Sequence, residues 1–226
     1  MTVTQVALGI LITLASTANA AQGGWLDVDV AQHRCPDERI TAADLIHAKP
    51  GRCLERWSRL GTGAGSSLFE ARYRTHAYAE VAVVTEVLFE SRAGDSRVRV
   101  LWFTQQTSDV YKFGHVALHR VGKWPIVDVP GCLHGTGGCA QELVLWTPGV
   151  GCNEIKDLRA RFDAALPEGY STLKAPHVQL DRMIIQGYGW KARACNACAS
   201  LEMTCHLSFD SQAFALSRCS RRPLSE

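Results

Sequence analysis

From Phe69 to Phe89 the chain alternates. Odd positions carry Phe69, Ala71, Tyr73, Ala77, Val81, Val83, Val87 and Phe89; even positions carry Glu70, Arg72, Arg74, His76, Glu80 and Glu86, with Glu90 next in phase. A period of two puts successive side chains on opposite faces of a β-strand, so the pattern predicts strand with one face in the core and one in water. The run is longer than an ordinary strand, and a break is expected between Thr75 and Ala79. Further strands are expected at 97–104, 142–147 and 178–186. A hairpin is expected from 113–121 and 124–129, joined across Gly122-Lys123 as a Gly-X turn.

Helical patterns are fewer. Thr41, with Asp44 three residues on, has the form of a helix start, interrupted near Pro50-Gly51 and resuming through Trp57. Asn153 is placed to cap a helix with Ile155, Leu158, Phe162 and Leu166 on one face, stopped by Pro167 and Gly169. A closing helix is expected from Cys195 or Cys198 to Phe209, with Leu201 and Cys205 on its inner side. Gly61 to Ser67 reads as a flexible loop; it lacks the lysine of a phosphate-binding loop and does not follow a strand pattern. Antiparallel strands with a few helices give an expected α+β fold, an antiparallel sheet packed against a C-terminal helix.

Residues 1–20 hold no charged side chain, and the apolar run from Val6 to Ala15 is followed by Ala18-Asn19-Ala20. This is the form of a secretory signal peptide cut after Ala20. The expected organisation is a leader over 1–20, a helical and loop segment over 21–67 and an α+β domain over 68–226. No later run is long and apolar enough for a membrane helix, so stable membrane insertion is not expected. The formal charge of +2, from 24 basic and 22 acidic side chains, is too small for a broad nucleic-acid footprint.

A secreted or periplasmic location changes the meaning of the nine cysteines, because thiols pair outside the cytosol. Cys132 and Cys139 are placed to close a small loop, and Cys35 and Cys53 to staple the N-terminal segment. An odd count leaves at least one thiol free or joined to another chain.

Two segments hold candidate chemistry. With a two-residue turn at Gly122-Lys123, Val121 pairs with Trp124 and Ala117 with Asp128. His115 is then a diagonal neighbour of Asp128 on one sheet face, and His119 shares that face as the reserve candidate. The second segment is Cys195-Asn196-Ala197-Cys198. At a helix start the dipole and the unpaired N–H groups favour a thiolate, although both cysteines are equally disulfide candidates. A zinc reading of Cys195, Cys198, Cys205 and His206 suits the ligand types but matches no closed zinc spacing.

A strand bearing Phe113-Gly114-His115-Val116-Ala117-Leu118, a polar residue 13 positions after the histidine and a later cysteine segment resemble the circularly permuted papain-like cysteine hydrolases. That superfamily includes cell-wall amidopeptidases and lecithin:retinol acyltransferase-like proteins. The resemblance covers roughly 97–210. It implies a permuted papain-like fold and an exported thiol hydrolase that cleaves an amide or ester without a cofactor. Cys198 or Cys195 would be the nucleophile, His115 the general acid and base, and Asp128 the group that orients it. The substrate would be a peptide, a cell-wall cross-link or a lipid ester. The alternative is a disulfide-stapled secreted binding domain without catalysis.

Overall fold

The computed structural model describes residues 24–36, 49–78, 81–107, 111–133, 138–191, 194–195 and 198–224. The leader and the helix start at Thr41 lie outside the described residues. Strand accounts for 64% of the structure and helix for 8%, which overturns the expected α+β class: the fold is a stack of antiparallel sheets.

The first sheet is built from β1 (Trp25–Asp27), β4 (Leu54–Gly63), β5 (Ser66–Tyr78), β6 (Val81–Arg92) and β7 (Arg97–Thr107), in the order β1-β7-β6-β5-β4. The alternating run becomes the long β5–β6 pair, with β5 ending inside the expected window for a break. The expected loop at 61–67 is instead a tight hairpin. Ala64 and Gly65 both take positive φ, 45° and 76°, the backbone of a two-residue turn whose twist matches its strands. Trp57, expected in a helix, lies in β4 opposite Ala71. Helix α1 (Val28–His33) covers the outer face of this sheet, where the Tyr73 hydroxyl donates to the Ala31 carbonyl at 2.8 Å. The short ribbon β2 (Arg34–Cys35) and β3 (Lys49–Pro50) is tied to the start of β4 by the Cys35–Cys53 disulfide.

The middle sheet holds β8 (Tyr111–Phe113), β9 (Ala117–Val121), β10 (Trp124–Leu133), β11 (Cys139–Thr147) and β12 (Gly151–Glu154). β8 and β9 both pair with β10, on which β11 and β12 follow in turn. The hairpin across Gly122-Lys123 has the expected register, Val121 opposite Trp124 and Ala117 opposite Asp128. The Cys132–Cys139 disulfide closes β10 onto β11. The third sheet holds β13 (Tyr170–Ser171), β14 (His177–Gln179), β15 (Ile184–Lys191), β16 (Leu201–Phe209) and β17 (Phe214–Pro223), ordered β13-β15-β16-β17 with β14 also on β15.

The middle sheet is covered on both faces. Val127, Val129, Val144 and Trp146 pack against Leu68, Leu88, Leu101 and Trp102 of the first sheet. On the other face, Ile126, Leu143 and Leu145 pack against Ile185, Met203 and Leu207 of the third. Helix α2 (Leu158–Ala165) plugs this second core with Phe162, which is fully buried. It is shorter than expected, because Asn153 belongs to β12 and Asp157 precedes the first turn. A β-carbon at Gly187 would stand 2.9 Å from both Phe162 Cε1 and Pro176 Cβ, so the backbone of β15 reaches the plug only without a side chain.

The expected C-terminal helix is strand β16. Leu201, Met203, Cys205 and Leu207 are buried, while Glu202, Thr204, His206 and Ser208 face outward to varying degrees. That alternation is the period of a strand. The separate strand at 178–186 is likewise divided between β14 and β15. Among the described residues, no helix is long and apolar enough to cross a membrane.

Candidate functional site

Cys195 and Cys198 are bonded to each other in the connection between β15 and β16. With β16 in place of a helix, no helix dipole acts on either sulfur. Cys205 is bonded to Cys219, so no thiolate remains for the zinc reading. Among the described residues, no group of three or more His, Cys, Asp and Glu side chains suits a metal ion. The unpaired cysteine is Cys152, buried in the core between the first two sheets, where burial pushes its thiol up.

His115 does not lie on β9. Residues 114–116 form no ladder, and the strand begins at Ala117. Gly114 closes on β10, its N–H donating to the Pro130 carbonyl at 2.7 Å. A β-carbon there would stand 2.9 Å from Pro130 Cγ, which explains the glycine. The chain then turns towards the first sheet. Arg72 Nη2 donates to the Gly114 carbonyl at 2.6 Å, and Arg56 Nη2 lies 3.2 Å from His115 Nδ1. Arginine only donates, so in this contact Nδ1 is the acceptor.

Asp128 faces the third sheet. Gln141 Nε2 donates to its Oδ2 at 2.9 Å, while its Oδ1 is buried without a partner. No hydrogen bond joins it to His115. Burial raises the Asp128 carboxyl's pKa, opposed by the Gln141 hydrogen bond and by the charges of His119 and His177. The expected sheet-face geometry therefore holds for His119, whose neighbour across the ladder is Ile126, and not for His115. Gln141 also bonds the Val178 backbone in both directions, at 2.6 and 3.1 Å. It thus fixes β14 to the middle sheet.

The structure also brings together a set of residues that sequence reasoning treated as a wet face. Glu70, Glu86 and Glu90 point between the first and middle sheets, and each is at most 1% exposed. Glu70 accepts from Ser58 Oγ at 2.8 Å and pairs with Arg56 at 3.3 Å. Glu86 accepts from Arg72 Nε at 2.8 Å. Glu90 is held by Arg99 at 2.6 Å, by Trp146 Nε1 at 3.1 Å and by the Gly149 N–H at 2.7 Å. Thr104 Oγ1 donates to Glu142 Oε1 at 3.2 Å, adding a carboxyl from the middle sheet.

Glu86 and Glu142 hold their protons above the ordinary carboxyl range. Burial first, then the neighbouring Glu70, pushes Glu86 up to about 8, while Arg72 opposes the shift. Burial and then Glu154 push Glu142 up to about 7, opposed by Thr104. Oε1 of Glu70, Oε1 of Glu86 and Oε2 of Glu142 are buried without a hydrogen-bond partner. The signal in the sequence was the frequency of Glu and Arg at matched places on consecutive strands, which gives cross-strand pairs such as Arg72 with Glu86.

At one edge of the first and middle sheets lies an open cleft of about 220 Å³. Leu118, Pro125, Trp146 and Pro148 give it an apolar lining, and Arg120 and Lys123 bring two cations to it. The Lys123 ammonium stands 4.8 Å from the centre of the Trp124 ring. No acidic side chain lines the cleft.

Comparison with protein families, characterised proteins and solved structures finds no match for the chain.

Proposed function

We propose that the chain is an exported, disulfide-stapled β-domain that acts by binding a ligand, without acyl-transfer chemistry. The observation that carries this reading is the bond between Cys195 and Cys198, which occupies both candidate nucleophiles. The remaining thiol, Cys152, is buried with its pKa raised, and a thiol is a poor nucleophile when it holds its proton. His115 and Asp128 are engaged by Arg56 and Gln141. Four disulfides fit an oxidising compartment. Residues 1–20 are then the leader, removed after Ala20.

The ligand site in this reading is the cleft beside Leu118 and Trp146. Apolar walls with two cations suit a small anion that carries a flat apolar body. The probe is 1-anilinonaphthalene-8-sulfonate, which has those two parts, added to the full native chain. Saturable fluorescence that weakens with salt and is lost in Arg120→Glu/Lys123→Glu supports the reading. Binding that is indifferent to this variant overturns the assignment of the cleft. Hydrolysis of a model ester or peptide that depends on Cys198 or His115 overturns the binding function itself. Alkylation of the unreduced chain should label no cysteine when native and only Cys152 when denatured.

A further inference from the structure

The Cys195–Cys198 bond stands apart from the other three crosslinks. Cys35–Cys53 spans a sequence separation of 18, and Cys205–Cys219 a separation of 14 from a fully buried sulfur in β16. Cys132–Cys139 spans 7, across the end of the β10–β11 ladder. Cys195–Cys198 spans only 3. The entropy a crosslink removes from the unfolded chain grows with the logarithm of the loop it closes, so this bond adds least to stability.

Its surroundings are already fixed without it. Gly189 pairs with Leu201 across the β15–β16 ladder. The Ser200 N–H donates to the Gly189 carbonyl at 3.1 Å, and the Leu224 N–H to the Ser200 carbonyl at 3.0 Å. Within the connection, the Ala194 N–H donates to the Lys191 carbonyl at 3.0 Å and the Cys198 N–H to the Cys195 carbonyl at 2.9 Å. Both cysteines are exposed. The hydrogen bonds that close β15 onto β16 are formed by the ladder itself and not through this crosslink.

We infer that Cys195 and Cys198 form a redox-active pair that exchanges electrons with a dithiol partner. This goes beyond ligand binding in the cleft and does not depend on it. A partner thiolate attacks one sulfur of the pair; the S–S bond breaks, and the other sulfur leaves as a thiolate that takes a proton from water. The resulting mixed disulfide is then attacked by the partner's second thiolate. This releases the second sulfur of the pair and leaves the partner as a disulfide. Two electrons pass from the partner to the pair, and the reverse sequence reoxidises it.

The test equilibrates the full chain in graded mixtures of reduced and oxidised dithiothreitol, then alkylates it and maps the labelled cysteines by mass. The expected result is that Cys195 and Cys198 are labelled while Cys35–Cys53 and Cys205–Cys219 remain oxidised, with the far-ultraviolet dichroism unchanged. Substoichiometric protein should also accelerate the reduction of insulin disulfides by dithiothreitol, and Cys195→Ser/Cys198→Ser should abolish the acceleration. Reduction of the pair only together with the other crosslinks, or only on unfolding, overturns the inference. So does selective reduction with no acceleration, which marks the pair as a passive staple.

Discussion

Glu86 is the diagonal neighbour of Glu70 across the β5–β6 ladder, and both carboxyls lie fully buried between two sheets. Burial and the like charge nearby both favour the protonated form of Glu86. Burial, with Glu70 beside it, holds the Glu86 proton up to about 8, against an ordinary value of 4.5. Between those values the folded chain binds more protons here than the unfolded chain, so stability falls as pH rises. Glu142, pushed up to about 7, acts in the same direction. Each group contributes a slope of up to about 1.4 kcal/mol per pH unit across its own window. Urea unfolding should therefore show lower stability at pH 9 than at pH 5. Glu86→Gln, which can donate to Glu70 and accept from Arg72, should flatten the profile while the chain still folds.

Glu90 is the best-satisfied carboxylate of the seam, with partners on Arg99, Trp146 and the Gly149 backbone. Its removal strands a mostly buried guanidinium. Glu90→Ala is expected to cost roughly 3–5 kcal/mol, measured as a drop in the urea midpoint. Glu90→Gln, which keeps an acceptor for Trp146 and Gly149, should cost less.

The contact of Gly187 with Phe162 and Pro176 is closed to a methyl group, with 2.9 Å to each from a β-carbon position. Gly187→Ala should destabilise by about 1–3 kcal/mol through overpacking. Phe162→Ala empties the same core and should cost about 3–5 kcal/mol. Because the two residues touch, the combined variant should lose less than the sum, which a double-mutant cycle reads directly.

Ala64 takes a φ of 45° ahead of Gly65 at 76°. Asparagine tolerates that conformation better than alanine, and Asn-Gly is the favoured pair for this turn. Ala64→Asn should raise the melting temperature, with a gain of about 0.5–1 kcal/mol.

The hairpin of β9 and β10 was legible in the sequence because a two-residue turn fixes every pair that follows it. The Cys35–Cys53 and Cys132–Cys139 bonds match two expected pairings, although spacing alone does not fix connectivity. The closing element was not legible. Leu201 and Cys205 are four apart, and four fits both a helical turn and two repeats of a strand. Met203 and Leu207 decide for the strand, since the helical reading leaves them off the inner face. His115 failed for a related reason: parity carries along a strand only while the ladder is unbroken, and the break at 114–116 cancels the count. The alternation at Glu70, Arg72 and Glu86 correctly marked two faces of a sheet. Local pattern cannot tell whether the second face meets water or another sheet, because the middle sheet that covers it is contributed by residues 111–154.

The charged lining between the first two layers also bears on how the protein is made. Synthesis runs from the N-terminus, so the strands up to Thr107 emerge before any part of the middle sheet. Until that sheet arrives, the face that will receive it shows water a row of carboxylates and guanidiniums among its leucines. A half-finished molecule with such a face resists self-association, and it keeps the surface that its own later strands must dock against.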